Sequence, residues 1–174
     1  MERYIALLRG INVGGHKKVP MKELKALLEE NGYTKVKTLL VSGNIIFTST
    51  KDRTKSLQPL IEKHFGFSIE TMILPSEKFT ELVNSDPFYG IEVTKSIRLY
   101  VTFMKEEVES DLSIPYETED QSFKILKREN KILYSVLDVD KTGTIDGMKI
   151  LEKSFGKNLT TRNYNTVVKI AKSI

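Results

Sequence analysis

The residues best equipped for chemistry sit together near the start of the chain, in Leu7-Leu8-Arg9-Gly10-Ile11-Asn12-Val13-Gly14-Gly15-His16-Lys17-Lys18-Val19-Pro20. Gly10 and Gly15 have the spacing of a phosphate-binding loop, G-x-x-x-x-G-K-[ST]. That loop then needs a lysine for the β and γ phosphates and a hydroxyl for Mg²⁺. Here His16, Lys17 and Lys18 follow instead, and Pro20 has no N–H to offer a phosphate. A nucleoside triphosphate site is not expected, and the G-x-G-x-x-G dinucleotide fingerprint is missing from the sequence. A looser anion site survives, in which glycines expose backbone N–H groups and cations supply charge. The competing reading is architectural: the glycines make a tight turn, and Asn12 and Asn44 hydrogen-bond the backbone.

Other groups fit chemistry less well. His16 is the one candidate general acid or base in the loop, since histidine titrates near neutrality. His64 falls beside Phe65 on a helix face and reads as a half-buried packing residue. Near the C-terminus, Thr160 or Thr161 is placed to cap a last helix, with Arg162, Asn163 and Asn165 projecting from its first turn. That segment reads as a cap or as a second anion contact through Arg162. Residues 138–149 imitate an EF-hand, since Asp138, Asp140, Gly143, Ile145 and Asp146 fit its positions. Thr142 is a weak ligand at position five, and Lys149 replaces the bidentate carboxylate at position twelve. No metal and no cofactor is expected; Asp146 reads as the cap of the next helix.

Composition excludes several function classes. The 174 residues are 40% hydrophobic and 29% charged, as in ordinary globular proteins. With no cysteine, thiol catalysis, disulfides and thiolate metal sites are ruled out. No apolar run approaches membrane-spanning length, and no signal-peptide pattern opens the chain, so a cytoplasmic protein without membrane contact is expected. The net charge is +4. Residues 1–25 hold six Lys or Arg against two Glu, and residues 121–174 hold eleven against five acids. Residues 106–120 hold seven acids and no base. Basic ends around an acidic middle fit either solubility or one anionic partner.

Positioning these residues requires a definite order of elements. Residues 3–9 form a buried strand and Pro20 opens a helix with Leu24, Leu27 and Leu28 on one face. Strands 36–41 and 44–48 meet at a tight Ser42-Gly43 hairpin. A helix with Leu57, Leu60, Ile61 and Phe65, a strand 67–74 and a helix 76–84 follow. The pattern then restarts: strand 97–104, a short helix near 105–112, a hairpin of 122–128 with 131–137, and helices marked by Met148, Leu151 and Phe155 and by Tyr164, Val167, Val168 and Ala171. This order, β-α-β-β-α-β and then a degraded copy, predicts an α+β protein of duplicated ferredoxin-like lobes, 1–90 and 91–174, with antiparallel sheets packed into one body. In that order strands one and three are neighbours, and the first loop and the hairpin share one end of the sheet. Arg9, Asn12, Gly14, Gly15, His16, Lys17 and Lys18 then lie beside Ser42 and Asn44.

The run Leu8-Arg9-Gly10-Ile11-Asn12-Val13-Gly14-Gly15, the Lys18-Val19-Pro20-Met21 helix start and the Ser42-Gly43-Asn44 hairpin resemble the opening of a bacterial family known as domain of unknown function 1697. The closing Thr160-Thr161-Arg162-Asn163-Tyr164-Asn165-Thr166 is similar to that family's end, with Tyr164 where Trp is more usual. The resemblance implies the duplicated ferredoxin-like fold and no activity. The expected function is binding of a small, phosphate-bearing anion at the glycine-rich loop. The alternatives are an enzyme on such a ligand with His16 as acid or base, and a basic nucleic-acid-binding module. For the last, the first and third strands offer only Tyr4 and Phe47 for base stacking.

Overall fold

The computed structural model describes residues 1–174, apart from the side chain of Ile145. It is a mixed α+β protein with two antiparallel sheets. The chain divides into two units: Met1–Glu81 with Ile170–Ile174, and Leu82–Lys169.

In the first unit, β1 (Glu2–Leu8) leads through the glycine-rich loop to α1 (Met21–Glu30). Pro20 stands one residue before the helix, and its carbonyl accepts the Leu24 N–H at 3.0 Å. At the far end Gly32 N–H bonds Glu29 O and Tyr33 N–H bonds Leu28 O, which satisfies two of the orphan carbonyls. β2 (Thr34–Leu39) and β3 (Asn44–Ser49) follow, then the short α2 (Lys51–Thr54), α3 (Leu57–Phe65), β4 (Thr71–Pro75) and the first two turns of α4 (Ser76–Asn84). The sheet order is β2-β3-β1-β4. Alternation along β1 sends Tyr4, Ala6 and Leu8 to one face. There they bury against Leu24 and Leu28 of α1 and Leu57 and Ile61 of α3. Tyr4 stacks on Phe47 with centroids 5.9 Å apart, and Tyr33 meets Phe47 edge-on. Both strand aromatics therefore point into the helix-covered core.

Two sequence expectations change here. The β2–β3 turn is not Ser42-Gly43 alone but residues 40–43, with Leu39 paired to Asn44. Leu40 and Gly43 both take positive φ, which bends the chain out of the strand despite the strand-like Leu40-Val41 pair. The strand expected at 67–74 is shorter. Ile69 is fully buried, but its N–H donates to the Glu62 carboxylate at 2.9 Å instead of joining a ladder.

The second unit holds β5 (Ile97–Met104), the two-residue β6 (Tyr116–Glu117), β7 (Phe123–Glu129), β8 (Ile132–Asp138), α5 (Thr144–Phe155), β9 (Leu159–Asn163) and most of α6 (Tyr164–Ala171). Its sheet order is β6-β7-β8-β5-β9. Phe123, Ile125, Leu133 and Leu137 pack with Leu151 and Phe155 of α5. The helix expected at 105–112 does not form: a helix would bring together the like charges Glu106 and Glu109, three residues apart, and Glu107 and Asp111, four apart, against the single opposite pair Lys105 and Glu109. The segment expected to cap the last helix is instead β9, whose residues 159–163 pair with β5. Thr161 Oγ1 and Thr102 Oγ1 lie 2.8 Å apart across that ladder.

A turn at residues 118–123 carries a pH signature. Asp120 accepts from Thr118 Oγ1 and Ser122 Oγ, both at 2.7 Å, and from Ser122 N–H at 3.0 Å. These bonds, led by Thr118, pull its carboxyl from the ordinary 3.8 down to about 2. A depressed folded-state value means the turn's stabilisation is present above pH 4 and fades as pH falls toward 2. NMR titration should show Asp120 half-protonated near pH 2, with exchange of the Ser122 N–H rising over the same window. An Asp120 midpoint near pH 4 would contradict this.

Candidate functional site

The glycine-rich loop is a small hairpin of its own. Val13 and His16 form an antiparallel bridge, with His16 N–H to Val13 O at 3.1 Å, and Gly14 and Gly15 turn the chain at φ +59° and +78°. Two positive φ values in succession are the mark of a type I′ turn. Asn12 N–H closes the hairpin on Lys17 O at 3.1 Å. The Asn12 side chain then fastens it to two neighbours. Its Nδ2 donates to Val19 O at 3.0 Å and Val41 O at 2.8 Å, and its Oδ1 accepts the Val19 N–H at 2.8 Å. Ile11 and Val19 anchor both ends in the core.

The structure brings the loop and the β2–β3 turn together, through Asn12 to Val41 and Leu8 N–H to Gly43 O. Most of the polar groups expected to face a ligand are occupied by protein. Arg9 N–H bonds Glu70 O, Lys17 Nζ donates to Ser68 O at 2.7 Å, and Asn44 Nδ2 donates to Leu39 O and Ser42 Oγ. Asn44 is fully buried. Gly14, Gly15, His16 and Lys18 are exposed at the tip. Among the described residues, nothing hydrogen-bonds the His16 ring.

Arg162 lies in the second unit on β9, not on a helix turn. It is buried, and its Nη1 donates to Thr160 Oγ1 at 2.9 Å and Thr161 O at 3.0 Å. Burial pulls its guanidinium down to about 10, so it remains charged at neutral pH. The cap of α6 is Asn163, whose Oδ1 accepts the Asn165 N–H. Before α5 the cap position is Gly143, and Asp146 sits in the first turn with Lys149 Nζ 3.1 Å away. Residues 138–149 are entered from β8 rather than from a helix. The position of Ile145 in that motif falls on a side chain outside the described set. His64 is more exposed than expected: its ring meets Phe65 edge-on at 4.8 Å, and its Nε2 lies 2.8 Å from Glu23 Oε1.

The cationic groups that gather around an open space are ones the loop motif did not indicate. A cleft of about 390 Å³ in the first unit is lined by Arg3, Lys25, Glu29, Lys35, Lys37 and Ser173, floored by Val36 and Ile46. It follows β2, the edge strand of the sheet. The lining side chains include four cations and one carboxylate, which sum to a formal +3. Glu29 is 3.7 Å from Lys25. Arg3 Nη1 donates to Ile174 O and Lys37 Nζ to Ser173 O at 2.9 Å, contacts with main-chain oxygens that orient the side chains. A signal for this cleft existed in the sequence: Lys35-Val36-Lys37 alternates, and Lys25 and Glu29 are four residues apart on α1.

Two antiparallel sheets with α-helices define the class of the protein, a mixed α+β fold. Residues 1–134 match the model of the family described as protein of unknown function (DUF1697), and the chain belongs to that family. Its fold is similar to that of the conserved bacterial protein SP0830 from Streptococcus pneumoniae. The two are 25% identical with a TM-score of 0.67, over 98% of this chain and 97% of that one. None of the curated proteins matches the chain. Among the described residues, no helix is long and apolar enough to cross a membrane.

Proposed function

We propose that the protein binds a small, phosphate-bearing anion, and that the ligand seats in the Arg3, Lys25, Lys35, Lys37 cleft rather than at the tip of the glycine-rich loop. The observation that carries this is the formal +3 lining of a cleft large enough for a metabolite. The loop's Asn12, Lys17 and Asn44 already serve backbone carbonyls, which favours architecture there. An acid/base role for His16 gains no support from an exposed ring on a turn tip. Base stacking gains none either, because Tyr4 and Phe47 lie within the helix-covered core.

We also read both units as ferredoxin-like. Supporting this, β4-β1-β3-β2 and β9-β5-β8-β7 have the same order when the halves are matched. The second unit adds β6 at its edge and has irregular chain where α1 would stand.

Calorimetry with pyrophosphate at low ionic strength tests the binding proposal. Affinity should fall with added salt. The double variant Lys35→Glu, Lys37→Glu should weaken it at least about tenfold with its thermal midpoint close to wild type. No binding of pyrophosphate, or equal binding by the variant, would overturn the assignment.

A further inference from the structure

The second unit has its own cavity, of about 330 Å³, bounded by Ile97, Arg98 and Leu99 of β5 and by Asn163, Tyr164 and Asn165 where β9 passes into α6. We propose that this cavity binds a small amphipathic monocarboxylate, with an apolar body against Ile97 and Leu99 and its carboxylate held by Arg98 and the amides of Asn163 and Asn165.

The polar wall is rich in donors. Arg98 is held in place because Nη1 donates to Lys95 O at 2.7 Å and Ile97 O at 3.1 Å. Both acceptors are neutral carbonyls, so neither forms an ion pair with the guanidinium, and it has further N–H groups to offer. Asn163 is fixed through Oδ1, which accepts the Asn165 N–H at 3.0 Å. That bond uses the acceptor end of the amide and spares its two Nδ2 hydrogens. The Asn165 main chain makes the same bond, so its side chain takes no part in it. Tyr164 is seated edge-on against Phe88 with ring centroids 4.8 Å apart. Its phenol stays protonated at neutral pH, pushed up by burial and then by Asp86.

Charge and size select the ligand class. Among the described residues lining the cavity there is one cation and no carboxylate. One guanidinium matches a singly charged carboxylate and would leave a phosphate dianion half-neutralised. The apolar residues rule in a hydrocarbon body, and a volume at the small end of ligand sites limits its length. The first unit's cleft has the opposite character, a formal +3 lining suited to a more highly charged anion.

NMR titration of the full chain with hexanoate tests the proposal. Saturable shifts of the Asn163 and Asn165 side-chain amides are expected, with hexanamide at least about tenfold weaker because it lacks the charge. Arg98→Gln should abolish binding, but it also removes an anchor for residues 95 and 97. Asn165→Asp is the cleaner variant: it keeps the main-chain N–H and places a like charge beside the carboxylate. It should bind hexanoate at least about tenfold more weakly with an unchanged thermal midpoint. The Lys35→Glu, Lys37→Glu variant should bind hexanoate as wild type does, which separates this site from the cleft. Hexanamide binding as tightly as hexanoate, wild-type affinity in Asn165→Asp, or no saturation by about 10 mM hexanoate would each overturn the inference.

Discussion

Gly43→Ala is expected to destabilise the first unit by about 3 kcal/mol. Gly43 sits at φ +77°, where an L side chain is strained by roughly 1–2 kcal/mol. The new methyl would also stand 2.6 Å from Ile11 Cδ1 and 2.8 Å from Leu8 Cβ. Ile11 is 2% and Leu8 1% exposed, so neither can swing into solvent. Leu8 cannot retreat either, because its N–H is bonded to Gly43 O at 2.8 Å. Forcing a methyl into such a space costs about 1–3 kcal/mol more. Gly15→Ala separates the two contributions. Its φ is +78°, yet a Cβ there would meet nothing within 4 Å. Urea denaturation should therefore show Gly15→Ala losing only the backbone part, about 1–2 kcal/mol. Equal losses at the two positions would mean that the close approach of the β2–β3 turn to the loop does not matter.

The elements that could be read in the sequence are those where periodicity and punctuation agree. β5 and α4 fall where alternation and helical spacing place them, residues 97–104 and 76–84. α3 ends at Gly66 in a left-handed cap, as a glycine after Phe65 suggests. β9 was hidden because Thr160-Thr161-Arg162-Asn163 serves equally as a cap or a strand. What decides is β5, which offers an open edge sixty residues earlier in the chain. Such a long-range pairing leaves no local trace. The absent helix at 105–112 has a local cause, carboxylates three and four residues apart that a helix would bring together.

The candidate site was less legible for a related reason. A motif draws attention to residues that are close in sequence, whereas the cleft collects Arg3, Lys25, Lys35, Lys37 and Ser173 from β1, α1, β2 and the chain's last residues. The resemblance of Gly10 to Lys18 to a phosphate-binding loop has a physical origin that involves no phosphate. Both arrangements draw on glycine where the backbone must leave the usual conformations, and here Gly10, Gly14 and Gly15 all take positive φ. In this chain the turn is closed by protein acceptors. The charge at its root is likewise put to use, with Lys17 reaching Ser68 O.

Asn12→Ala is expected to cost about 3 kcal/mol, more than any other change to a polar residue of the loop. One side chain supplies three bonds, to Val19 O, Val41 O and the Val19 N–H. Val19 is 1% exposed, so water cannot replace the partner of its N–H. An orphaned buried donor costs about 1–3 kcal/mol, and an alanine at φ +56° adds backbone strain that asparagine tolerates better. Asn12→Gly removes the same bonds without the strain, so the difference between the two variants isolates the backbone part. Asn12→Asp keeps an acceptor for Val19 N–H but turns a carboxylate toward two carbonyl oxygens, and should be no more stable than Asn12→Ala. Hydrogen exchange reports the bonds one by one. The Val19 N–H should lose protection in Asn12→Ala and Asn12→Gly and keep part of it in Asn12→Asp. Because Asn12 also holds Val41, the β2–β3 turn should loosen with the loop in all three variants. A loss below about 0.5 kcal/mol in Asn12→Ala, with Val19 still protected, would show that the loop is held by its buried Ile11 and Val19 alone.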